Sequence, residues 1–390
     1  MKMRMRTFAA GLALGVAWVA AVAVRADAQS SVAAARPAVA FTDSTPALLA
    51  GTKRVAITNV VISFQASTGD MKGGGLRLPI VGSKETVQNV LAMPEMDPSL
   101  QAAIAEAAYK NLANQLKKAG YEVVPEAQVK ASASYQGIIK QAGYANNSKF
   151  ANSLGDVFLV GPQSLPPYTA YNGETGNFVY PSTTYMAWTS GFGGKSVTPG
   201  GLSIMQQSNA WKVPGLEVAL AKELNAHVVK AYYVVSLGKT SVKRKVGYET
   251  VTGEVVTPYG NRTDTRQVKT TGGTSSSYAQ AALIPDQTHI AFRSPTGNAK
   301  WQKVAMAKIV PPKDGDVVVR ITDPVMGGTD WFSIQAGEWQ RAGGLFSAQK
   351  RADINGLDLV TLTDPQGYAQ DVVQMMWLAN AAMLGLVPAQ

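Results

Sequence analysis

Cysteine is absent from this 390-residue chain, and histidine occurs only twice, at His227 and His289. The first absence excludes disulfides, thiolate catalysis, Cys-ligated zinc, iron–sulfur centres and a lipidated cysteine at a signal junction. The second leaves two imidazoles for acid–base work. Charge is also sparse: 16% of residues are charged against 46% hydrophobic, which excludes a coiled coil and leaves enough apolar material to offset chain entropy. Beyond residue 24 no run reaches the roughly 18 uninterrupted apolar residues of a membrane-crossing helix, so the mature chain is expected to carry none.

What is present begins with an export signal. Lys2, Arg4 and Arg6 precede the apolar stretch Phe8 to Val24, and Ala26-Asp27-Ala28 places small residues where a signal peptidase reads. Cleavage is expected before Gln29, giving a periplasmic or extracellular protein with 32 basic and 25 acidic residues, a net +7. Lys239, Lys243, Arg244 and Lys245 form the densest basic run. It reads as a solvated strand edge that discourages aggregation, with anionic lipid or a polyanion as the functional alternative. No recognition motif points to nucleic acid.

Residues 29–50 are rich in Ala, Ser, Thr and Pro without a period and read as a flexible leader. Arg54 to Phe64 is β-branched and apolar on both faces, as in a strand covered on both sides. After a loop with Gly73-Gly74-Gly75, Asp97 and Pro98 open a helix. Its stripe is Leu100, Ile104, Ala108, Leu112 and Leu116, and Gly120 is its stop. Tyr121 to Pro125 is a short strand, and roughly Glu126 to Gln141 a further helix. Leu216 to Leu224 reads as a short helix, and His227 to Val235 as a strong strand.

Val242 to Thr252 alternates as an extended stretch, Thr270 to Ser277 reads as a polar loop, and Thr288–Arg293, Trp301–Ile309 and Val317–Ile321 read as strands. Asp364-Pro365 opens a closing helix, in which Val373, Met376, Trp377, Ala381 and Leu384 share a face.

The expected fold class is α/β (α+β): a small mixed sheet covered by helices, with a long aromatic-rich insert and a β-rich C-terminal part. The expected division is a signal peptide at 1–28, the leader at 29–50, an α/β domain at 51–240 and a β-rich region at 241–390 ending in a docked helix. The insert spans 143–213 inside the α/β domain. Its 71 residues contain two acids, Asp156 and Glu174, whereas seven aromatics fall between Tyr168 and Phe192. Aromatic rings give large contact area at low entropy cost, so Tyr171, Tyr180, Tyr185 and Trp188 are the candidate binding residues. A hairpin packing its rings on the sheet is the structural alternative.

No motif carries catalysis. There is no G-x-S-x-G elbow and no H-E-x-x-H helix. Thr189 to Ser196 ends like a phosphate loop but has Thr189 where the first Gly belongs. Asp314/Asp316 and Asp353/Asp358 supply only a fragment of a calcium loop, so neither a metal nor a cofactor is expected.

With this element order, residues 53–141 resemble the first domain shared by the curli secretion protein CsgG, the penicillin-binding-protein activator LpoB and the N-terminal domain of TolB. The resemblance rests on the strand Arg54-Val55-Ala56-Ile57, the glycine-containing loop, and the helix end and strand running from Leu112 through Gly120 to Val124. Asp156 to Gly161 and Ala231 to Val235 look like the next strands. It implies an envelope protein acting by binding and assembly, without catalysis, on an envelope protein or glycan or by self-association. The chain departs from CsgG and LpoB in lacking the lipidated Cys. A pore is not carried over, because Lys243, Arg244 and Lys245 interrupt the lipid-facing alternation that Ser241 to Val256 would need. The alternative functions are an exported hydrolase using His227 or His289 with a nearby acid, and a carrier of a small apolar ligand.

Overall fold

The computed structural model describes residues 37–42, 49, 51–72, 87–93, 95–143, 146, 148–152, 155–168, 212–257, 260–285, 287–297, 302–304, 308–310, 316–336 and 354–385. The strands of the first half are β1 (Val39–Thr42), β2 (Arg54–Gln65), β3 (Ser67–Lys72), β4 (Val87–Ala92), β5 (Glu122–Val123), β6 (Ser148–Asn152) and β7 (Gly155–Val160). Those of the second half are β8 (His227–Thr257), β9 (Gly260–Leu283), β10 (His289–Arg293), β11 (Gln302–Val304), β12 (Lys308–Val310), β13 (Asp316–Ile321), β14 (Val325–Met326), β15 (Phe332–Ala336) and β16 (Ile354–Leu362). Helices are α1 (Pro98–Lys118), α2 (Glu126–Ala131), α3 (Ala133–Ala142), α4 (Val213–Glu223) and α5 (Pro365–Gly385).

The fold class is α/β with a mixed sheet. Its main sheet runs in the order β1-β13-β10-β8-β2-β7-β6, with β5 beside β2 and β9 beside β8 and β14. β2 pairs parallel to β8 and antiparallel to β7, which places it centrally. From Val55 to Gln65 it is wholly buried. The pleat explains how: Val55, Ile57, Val60, Ile62 and Phe64 pack in one core with α1 and α5, while Ala56 packs in a second core with α2, α3 and α4. A second sheet, β15-β16-β4-β3, packs against β8 and β9, and β11 and β12 form a separate pair.

Local signals produce the helices. Asp97 Oδ1 accepts from Ser99 N at 2.8 Å, capping α1. Its far end closes with Gly120 N on the Lys117 carbonyl and Tyr121 N on that of Leu116, both at 3.0 Å, with Gly120 at φ 93°. The α4 end repeats that geometry, with Asn225 at φ 46°. Asp364 Oδ1 caps α5 through Gln366 N and Gly367 N. No helix among the described residues is long and apolar enough to cross a membrane, which bears on helices alone.

Three expectations meet a different outcome. The helix expected over 126–141 is two helices, because Ser132 is extended and caps α3 instead, its hydroxyl accepting from Tyr135 N. The polar loop expected at 270–277 lies inside β9, where cross-strand hydrogen bonds to β8 organise a segment that has no apolar period of its own. Val39–Thr42, in the stretch read as leader, pair with Val318–Ile321 at the sheet edge.

Candidate functional site

A buried polar cluster lies on the sheet face beneath α4 and includes Tyr168. β2 shifts register between Ile57 and Asn59, and this bulge turns two consecutive polar residues toward the same neighbour. Thr58 Oγ1 lies 2.9 Å from the Tyr168 hydroxyl. The Asn59 amide pairs with the Tyr168 backbone, Nδ2 donating to its carbonyl at 2.6 Å and Oδ1 accepting from its N–H at 3.4 Å. Gly143 bridges the same backbone. Tyr168 is therefore held by side chain and main chain together.

Its hydroxyl donates to Glu217 Oε1 at 3.1 Å. Glu217 lies on the inner side of α4 and is fully buried, as is Lys230 of β8, while Arg293 of β10 is 1% exposed. Lys230 Nζ is 3.1 Å from Glu217 Oε1, and Arg293 Nε donates to Oε2 at 2.7 Å. One carboxylate thus gathers two cations and a phenol from three elements. Burial, then the Glu217 charge, pushes the Tyr168 phenol well above its ordinary pKa, so it stays a donor. Buried ions of this kind add little net stability as a set, but removing one partner strands the others in a low-dielectric site. The cluster ties Tyr168 and α4 to the sheet.

A second clamp lies at the helix layer's edge. Glu223 at the end of α4 accepts from Ser134 N, Ser132 Oγ and Ala133 N, at the start of α3. Hydrogen bonds from Ser134, then Ser132 and Ala133, hold its carboxyl below the usual range despite some opposing desolvation.

The four residues chosen from sequence, Tyr171, Tyr180, Tyr185 and Trp188, lie outside the described residues, as do the phosphate-loop-like stretch 189–196, Asp314 and Asp353. Asp316 opens β13 and Asp358 lies in β16; among the described residues no group of three His, Asp or Glu could hold a metal ion. His227 has Thr52 Oγ1 at 3.1–3.2 Å from its ring nitrogens. His289 is 6% exposed, its ring 4.9 Å from that of Tyr232, and its Nδ1 donates to the Gln287 carbonyl at 3.0 Å. Sequence reasoning missed Glu217, Lys230, Arg293 and Tyr168. The available signal was a charge inside an apolar run: Lys230 within His227–Val235, and Glu217 beside Leu216 and Leu220.

The chain matches no protein-family model, no curated protein and no solved structure.

Proposed function

We propose that the chain is an exported, non-catalytic binding or assembly factor of the cell envelope that captures an envelope protein or glycan through its aromatic insert. The observation that carries this reading is the anchoring of Tyr168, inside the insert, and of α4, at its C-terminal end. Tyr168 on one side and α4 on the other are tied to the sheet through Thr58, Asn59 and Glu217. Recognition segments work when a rigid frame presents them, because ordering the frame beforehand lowers the entropy cost of binding. Two further features favour binding over hydrolysis: His289 is nearly buried against Tyr232, and Glu217 is enclosed by its cations. The reading also agrees with what the resemblance to CsgG, LpoB and TolB implies.

The test is crosslinking capture from intact cells with wild type and with Tyr171, Tyr180, Tyr185 and Trp188 all replaced by Ala. Both proteins are first checked for the same thermal unfolding. Recovery of a defined envelope component that the variant loses is the expected result. Equal capture by both proteins overturns the role of the insert, and the absence of any specific partner moves weight to the hydrolase and carrier readings.

A further inference from the structure

Beyond Lys239, β8 and β9 continue as a two-stranded ribbon to the pair Thr257↔Gly260. Among the described residues, no other strand pairs with residues 241–257 or 260–277. Its charge is unevenly placed. Over the ten positions from Lys239↔Tyr278 to Tyr248↔Lys269 it carries Lys239, Lys243, Arg244, Lys245 and Lys269 and no acid; by strand alternation Lys239, Lys243 and Lys245 stand on the face of Tyr278, and Arg244 and Lys269 on the other. The outer part, from Glu249↔Val268 onward, carries Glu249, Glu254 and Asp264 against Arg262 and Arg266. The cationic half is about 30 Å long at the usual rise per residue, which is the scale of a surface rather than of one small anion.

Apolar groups are exposed at the foot of this half. Tyr278 is 43% and Met326 46% exposed. Ala279, Ala281 and Leu283 enter the core, which leaves Tyr278 and Ala282 on the other face of β9 across the register shift, and Met326 stands opposite Ala282 in β14. The exposed Lys239 stands opposite Tyr278, so a cation and two large apolar side chains face the same way. We infer that this face docks on the phosphate-bearing headgroup surface of an anionic bilayer. Cations meet the phosphates, and Tyr278 and Met326 enter the interfacial layer, where amphipathic rings and thioethers are at home. A soluble polyanion satisfies the charge but offers those two side chains no apolar phase. The ribbon lies on the surface in this inference and does not cross it.

The experiment is co-sedimentation of the purified protein with phosphatidylcholine vesicles, with and without phosphatidylglycerol, at low and high salt, with soluble polyphosphate as a separate arm. Wild type is expected to bind only the anionic vesicles, and less at high salt. Replacing Lys243 and Lys245 together by Ser is expected to weaken binding roughly thirtyfold, while Arg244→Ser on the other face has a smaller effect. The charge-keeping pair Lys243→Arg and Lys245→Arg should bind as wild type does, which separates charge from any disturbance of the ribbon. Tyr278→Ser should weaken binding several-fold while leaving the salt dependence in place. Equal binding to neutral vesicles, an unaffected Lys243/Lys245 double-Ser variant, or binding to polyphosphate with none to vesicles each overturns the inference.

Discussion

The two halves of β8 are made from one continuous strand and live in opposite environments. From Val228 to Val235 it is buried, with β2 on one side, β10 on the other and a helical layer over each face. From Ser241 to Thr257 its recorded strand pairing is with β9 alone. The first half is held by burial of apolar area, which needs no partner outside the chain. The second contains no Leu, Ile, Phe, Met or Trp, and a two-stranded ribbon is marginal in water by itself. The difference teaches that strand continuity is not continuity of stabilisation. The joint is marked by a register shift between Ser236 and Gly238, where Gly238 has φ 150°.

The largest expected effect breaks the buried half. Glu217→Gln leaves Lys230 and Arg293 without that carboxylate and should cost about 3–5 kcal/mol in denaturant unfolding. Replacing Glu217, Lys230 and Arg293 together by apolar residues of similar volume should recover much of that loss. A Glu217→Gln protein as stable as wild type would show that the cluster does not hold the face together.

Next comes the joint itself. A Cβ at Gly238 would collide with the Tyr278 carbonyl and come within 2.9 Å of Leu91 Cδ2, so Gly238→Ala should cost about 1–3 kcal/mol and alter the ribbon's setting on the core. Unfolding midpoints and near-ultraviolet circular dichroism would report it, and an unchanged midpoint would mean that the joint is loose.

Amide hydrogen exchange sharpens the same contrast. Amides of Val228–Val235 should exchange only through global unfolding, whereas those of Val246–Thr257 should exchange through local opening that a stabilising change in the core does not slow. Protection of the ribbon equal to that of the core would contradict the comparison.

The smallest effect belongs to pH. The Glu223 carboxyl is held below its ordinary value by its hydrogen bonds at the start of α3, so its contribution is present above the unfolded-state pKa near 4.5 and is lost as pH falls through the lower folded value. Glu223→Gln should flatten the stability profile in that acid window, lower stability at neutral pH, and match wild type once pH falls below the folded value. A profile with an unaltered acid limb would remove Glu223 from the account.

Much of the helical frame could be read without coordinates because its causes are local. Asp97 caps α1 two residues ahead of the N–H it accepts, and Gly120 ends the helix from within the same turn. The double burial of β2 was legible too, since both alternating sets of its side chains are mostly apolar. Thr58 and Asn59 were the adjacent pair of polar residues in that run, and the bulge that gives them a common neighbour is visible only in the pairing with β8. The stretch 270–277 looked like a loop because Thr, Gly and Ser show no period, whereas its order comes from a strand some thirty residues earlier. The charge cluster was least accessible: Arg293 meets Glu217 across 76 positions of sequence, and Tyr168 meets it across 49.

The sequence by itself determined the α/β class, the central buried strand, the caps and stops of α1, and the exclusion of thiol chemistry, because these depend on composition and on neighbours within a few residues. The tertiary structure decided the single carboxylate shared by Lys230 and Arg293, the anchoring of Tyr168 and α4 to the sheet, and the ribbon that carries an acid-free basic half beside exposed Tyr278 and Met326. Those features arise from strand register and from charges brought together in a low-dielectric interior, and neither distance nor dielectric is written along the chain.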